Sequence, residues 1–228
     1  MSSQPDRRLV VADANVLINF AHVGRLDLLS ALASYAITVP EEVVAEVKDR
    51  DQLALLRAEI DAGRFEVCRI DELAGLAIFA DLRERLGAGE SACITLAAQH
   101  GWVVASDERR AVFMREIERR LGNGRLLNTP GLMVVALREA LLTVEQADEI
   151  KALLEQRRFK MKFQSFGELF PQARILSPPR TRSPRRAGGA KGCRGTVRAG
   201  TRAARRAMKS SGSNAIAEVP SRQCLRSP

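Results

Sequence analysis

Short runs of apolar residues alternate along this chain with longer stretches whose apolar positions repeat at helical spacing. Leu9-Val10-Val11-Ala12 stops at Asp13 and predicts a buried strand. Residues 15–33 carry Val16, Phe20, Val23, Leu28, Leu29 and Leu32 at helical intervals, with Gly24 between two predicted helices. Ile37-Thr38-Val39 predicts a second strand. Pro40 suits the first position of a helix over EEVVAEVK, and Glu41 and Glu42 favour a helix N-terminus. A helix at 52–61 ends near Gly63, and Phe65–Ile70 alternates as a half-exposed strand does.

Helices are predicted at 72–86 and 90–100, interrupted by Gly87-Ala88-Gly89 and closed by Gly101. Trp102-Val103-Val104-Ala105 is the clearest strand and stops at Ser106-Asp107. A basic helix (109–120) and a short strand at Leu126-Leu127 follow. Thr129, as N-cap before Pro130, opens an apolar helix, and Thr143–Gln146 is a capping box opening another. Phe159, Met161 and Phe163 then alternate, before a last helical turn at Ser165–Phe170. Strands separated by helices imply an α/β fold, three layers α/β/α around a central parallel sheet.

Beyond Pro171 the pattern is lost, and here charge changes the picture. Of the 36 Lys and Arg, 14 fall in residues 171–228 beside a single acid, Glu218; residues 1–170 hold 22 basic and 26 acidic residues, a net charge of −4. The division is therefore a folded, mildly acidic domain over 1–170 and an Arg-rich tail over 171–228. The tail has too few branched or aromatic residues to offset the entropy of ordering, and is predicted to be disordered. Its Arg clusters suit a solvated segment or weak non-specific RNA contact.

The 46% apolar content is ordinary for a globular protein. Cys68, Cys93, Cys193 and Cys224 form no C-x-x-C pair, which argues against a zinc site or a disulfide framework; Cys68 and Cys93 read as core residues. MSSQPDRR is followed by too short an apolar run for a signal peptide, and no apolar stretch would span a membrane. A reducing cytoplasm is the expected compartment.

Asp13 and Asp107 each follow a predicted parallel strand, so both arrive at the carboxyl edge where open α/β sheets form their crevice. Glu46, one turn beyond Glu42, and Glu90, opening the next helix, are candidates to join them. Clustered carboxylates repel unless a cation sits among them, and oxygen ligands without His or Cys select Mg²⁺ or Mn²⁺. Each acid also has a plain structural reading: Asp13 and Asp107 as helix caps, Glu46 on a solvated face, Glu42 and Glu90 as first-turn dipole partners. His22 and His100 have no ligand spacing and read as structural, and the basic helix as a solvated face or a phosphate binder. Gly87–Ala92 matches a dinucleotide fingerprint but follows a charged helix rather than a strand, and Asn15 occupies the second acid's place in an Asp-x-Asp phosphatase motif.

VVADANVLINF at 10–20, VPEEVVAEV at 39–47, LGAGESACITLA at 86–97 and VVASDERRA at 103–111 resemble, in order, the four acid-bearing blocks of PIN-domain nucleases. The similarity is to the VapC-like toxin branch, which GRLDLL at 24–29 and FKMKFQSFGELF ending at 170 also resemble; it spans residues 8–170. The resemblance implies a metal-dependent endoribonuclease, the toxin of a toxin–antitoxin pair, that dimerises and is silenced by an antitoxin protein. It implies metal ligation by Asp13, Glu90 and Asp107, a helix-borne acid at Glu46, and supporting roles for Asn15 and Ser106, with Glu108 near the ion. Two other readings stand beside it: a PIN-like scaffold binding RNA or protein without catalysis, and a housekeeping RNA-processing nuclease.

Overall fold

The computed structural model describes residues 7–169. The basic segment 171–228, with Cys193 and Cys224, lies outside the described residues, as does Phe170. In chain order the elements are β1 (Arg8–Ala12), α1 (Ala14–His22), α2 (Leu26–Ala31), β2 (Tyr35–Pro40), α3 (Glu41–Glu46), α4 (Arg50–Asp61) and β3 (Glu66–Cys68). Then come α5 (Leu73–Arg83), α6 (Ala88–His100), β4 (Val103–Ala105), α7 (Ala111–Leu121), β5 (Leu126–Leu127), α8 (Thr129–Arg138), α9 (Val144–Gln156) and α10 (Phe166–Leu169).

The five strands form one parallel sheet in the order β3-β2-β1-β4-β5, flanked by helices. Val10, Val11 and Ala12 of β1 and Val104 and Ala105 of β4 are fully buried, as continuous apolar strands covered on both faces must be. Burying Val10 and Val11 contributes about 1.5–3 kcal/mol each. The chain moves outward from β1 to β2 and β3, then returns past β1 to lay down β4 and β5. The direction reverses between β1 and β4, which is where an open α/β sheet leaves a crevice at its carboxyl edge.

The ladder ends at that crevice. Asp13 N–H donates to Ala105 O (2.9 Å) and Ser106 N–H to Leu127 O (2.9 Å), so the first residues past β1 and β4 are pinned by backbone bonds. α6 packs against α3, α5, α7 and β1. Its small residues, from Ser91 to Ala97, are buried and let it lie close to the sheet.

Several local expectations are corrected. Pro40 is the last residue of β2 and caps α3 rather than sitting inside the helix; the β1–β2 register runs only to Thr38, so its missing N–H removes no bond to β1. Gly87 is the N-cap of α6, and Ala88 and Gly89 form its first turn instead of a break. Asn128, not Thr129, caps α8, its Oδ1 accepting from Gly131 N–H at 2.9 Å. Residues 159–163 are not a strand, because no neighbouring strand offers them a ladder. Glu66 and Val67 of β3 are both exposed, since the strand is the sheet's edge and only three residues long. Cys93 is buried, Cys68 half-buried, and both are free thiols. Among the described residues no helix is long and apolar enough to cross a membrane.

Candidate active site

Asp13 is 3% exposed and caps α1, its Oδ1 accepting from Ala14 N–H (2.8 Å). Its Oδ2 accepts from the buried Ser106 hydroxyl at 2.8 Å. Ser106 Oγ in turn accepts from Glu108 N–H (3.1 Å) and from Asn15 Nδ2 (3.3 Å), while Asn15 Oδ1 accepts from Asp107 N–H (3.0 Å). Asn15 and Ser106 thus tie the residues after β1 to those after β4. A hydroxyl and an amide suit this place because each both donates and accepts.

Asp13, Asn15, Glu46, Glu90 and Arg110 line one open cleft of about 500 Å³. Glu46 reaches it from the end of α3, its Oε1 held by Gly89 N–H at 2.8 Å. The fit is close: a Cβ on Gly89 would stand 2.5 Å from Glu46 Oε2 and 3.1 Å from Val43 Cγ2. Glu90 accepts from Gly87 N–H at 3.1 Å, the one half of a capping box that a glycine N-cap permits, and is also bound by the Arg110 guanidinium at 2.7 Å.

Asp107 is turned away from these three acids. Its Oδ1 accepts from Thr129 N–H (2.9 Å), and its Oδ2 from the Thr129 hydroxyl and from Asn19 Nδ2 (3.0 Å). It lines the neighbouring cleft instead. Thus Asp13, Glu46 and Glu90 share a cleft, and the carboxylate of Asp107 serves as an anchor for the start of α8. Among the described residues no three His, Cys, Asp or Glu side chains stand close enough to hold a metal ion together.

Burial raises the Asp13 carboxyl to about 6; the bonds from Ser106 and Ala14 pull against this, and the charges of Glu90 and Glu46 add to it. Burial also acts to raise Glu108, but hydrogen bonds from Arg110 and Arg109 outweigh it and hold this carboxyl below its usual range. Burial pushes the Cys68 thiol up to about 11 and raises the fully buried Cys93 thiol well above its ordinary value, so neither is a nucleophile near neutral pH. The donor set of the cleft is all oxygen, which suits a hard divalent cation.

Four contributors escape a reading of the sequence. Arg110 belongs to the predicted basic helix yet pairs with Glu90 and Glu108. Gly89 is the cradle of Glu46. Thr129 and Asn19 hold Asp107; Asn19 lies one helical turn beyond Asn15, the signal that would have found it. Elsewhere on α7, Arg119 and Arg120 are ion-paired to Glu116 and Asp81. His100 stacks on Trp102, and His22 bonds Gln52.

Residues 9–173 match a family model described as a PIN domain. Among solved structures, the protein PAE2754 of Pyrobaculum aerophilum is similar at 16% identity and a TM-score of 0.38, over 57% of this chain and 90% of its own. No curated protein matches.

Proposed function

The chain belongs to the PIN-domain family, and from that premise we propose that it is a Mg²⁺- or Mn²⁺-dependent endoribonuclease, the toxin of a toxin–antitoxin pair. The observation that carries the reading is the single cleft lined by Asp13, Glu46 and Glu90, contributed by three separate segments at the sheet's switch point. A cation bound there would lower the pKa of a water and neutralise charge on the scissile phosphate. Asp13, Glu46 and Glu90 line the cleft that would receive it and would draw together around the ion, while Asp107 lines the neighbouring cleft.

The chain's own groups have distinct tasks. The Ser106 hydroxyl and Ala14 N–H orient the Asp13 carboxylate. Gly89 N–H orients Glu46. Arg110 balances the charge of Glu90, and its half-exposed guanidinium is available to a phosphate that enters the cleft. RNA is the substrate of this reading, a second copy and an antitoxin protein its partners, and the cytoplasm its compartment.

The purified chain should cut RNA with added Mg²⁺ or Mn²⁺, leave 5′-phosphate and 3′-hydroxyl ends, and stop on EDTA. Asp13→Asn should abolish cutting with the fold intact; undiminished metal-dependent cutting by that variant overturns the proposal. Growth arrest on expression, relieved by a neighbouring gene's product, tests the toxin role against a housekeeping nuclease.

A second reading, a catalytically inactive module that binds RNA or protein, is favoured by one observation: Asp107 is engaged by Thr129 and Asn19 rather than turned to the other acids. Such a module would bind RNA equally with EDTA present and never cut it.

A further inference from the structure

Beside the acid cleft lies a larger one of about 740 Å³. Asp107 and Arg109 line it, while the next residue, Arg110, lines the acid cleft, so one short loop borders both. Its opposite wall is the irregular segment after α9. There Phe159, Met161 and Phe163 are half-buried and Lys160 and Lys162 are exposed. Three cations, Arg109, Lys160 and Lys162, thus border an apolar wall, and among the described residues none of them is ion-paired.

The wall is held in place. Arg158 turns the chain at φ 68°, and Phe159 N–H donates to Leu154 O (3.0 Å). The Phe163 ring meets Phe166 edge-on at 4.9 Å, with the Lys151 ammonium 5.9 Å from its centre. Ser165 Oγ and Phe166 N–H both donate to Asp148 on α9, at 2.7 and 2.8 Å.

We propose that this cleft is a nucleotide subsite that seats one unpaired nucleotide of an RNA strand next to the phosphodiester lying in the acid cleft. The base lies against Phe159 and Met161, and its flanking phosphates meet Arg109, Lys160 and Lys162. A cationic rim around an apolar wall matches a single strand, whose bases are open to stacking, and excludes a duplex, whose bases are paired and stacked. The assignment rests on the ribonuclease reading for its orientation, not for its occupancy.

The test uses the full chain in EDTA, so that nothing is cut, with a short single-stranded RNA carrying 5-iodouridine. Ultraviolet crosslinks should map to residues 159–163. Lys160→Glu with Lys162→Glu, both exposed and so compatible with folding, should lower that crosslink yield about tenfold. The slope of log affinity against log salt should fall by about 1.4, as loss of two single-strand phosphate contacts requires. Crosslinks confined to 171–228, an unchanged yield at 159–163 in the double variant, or equal crosslinking of a duplex would each overturn the subsite. Because no cleavage is read, a protein that binds here without cutting and one that cuts without binding here give different results.

Discussion

Arg110 Nη2 lies 2.7 Å from Glu90 Oε2, and the same guanidinium reaches Glu108 through Nε at 2.9 Å. The cation lining the acid cleft is therefore already committed to one of its three carboxylates. A divalent ion entering beside Glu90 meets a like charge, and Arg110 must yield to it or share the carboxylate. Arg110→Ala should accordingly bind Mn²⁺ about three- to tenfold more tightly, because a repulsion across a few ångström of partly screened space is removed. Titration calorimetry on the cation alone reads this, and unchanged or weaker binding contradicts it.

The carboxyl of Asp13, lifted to about 6 from an ordinary 3.8, makes the folded protein bind a proton that the unfolded chain releases. Stability from this group is complete below the lower value and is lost as pH rises through the upper one, by roughly 3 kcal/mol. In EDTA at pH 8, Asp13→Asn should unfold at a higher temperature than the parent, with the gap closing toward pH 4. Added Mg²⁺ should then stabilise the parent and leave the variant unmoved, since only an ion bound to the native state shifts its unfolding. A parent more stable than the variant in EDTA at pH 8 would show that burial is not the dominant influence on Asp13.

Gly89→Ala separates positioning from folding. The new Cβ would strike the far end of Glu46, a flexible side chain that can swing away, and would press on the buried Val43 Cγ2 at 3.1 Å, which has only a few tenths of an ångström to give. Losing the Gly89–Glu46 bond costs about 1 kcal/mol, and the gain in helix propensity is of the same size. Thermal stability should fall only slightly, yet metal-dependent cutting should fall to the level of Glu46→Ala. Full activity in the alanine variant would remove Glu46 from the site.

Ala140 ends α8 at φ 57°, with Leu141 N–H donating to Ala136 O and Ala140 N–H to Leu137 O. This left-handed cap favours glycine, and Ala140 is exposed with no packing to lose. Ala140→Gly should raise the urea midpoint, equivalent to about 0.5–1 kcal/mol, with cutting unaffected. A lower midpoint would mean that the unfolded chain's added freedom outweighs the relieved strain.

The order of elements and the edge at which the acids gather were legible in the pattern of residues. Val10-Val11-Ala12 and Val103-Val104-Ala105 are runs that only a two-sided burial tolerates, and a polar residue right after such a run must fall at the strand's end. That logic is local, so Asp13 and Asp107 could be assigned to one edge from sequence. The direction of a carboxylate is not local. Asp107 turns to Thr129, 22 residues on, and Asn19, 88 residues back, because donors waiting there satisfy it better than open solvent. Glu46 depends on Gly89, 43 residues away, and Arg110 on Glu90 across the mouth of a cleft. Periodicity carries which face and which end a residue occupies. Which partner its side chain takes follows from packing segments that are remote along the chain, and that is why three acids share a cleft here while the fourth serves the helix beside it.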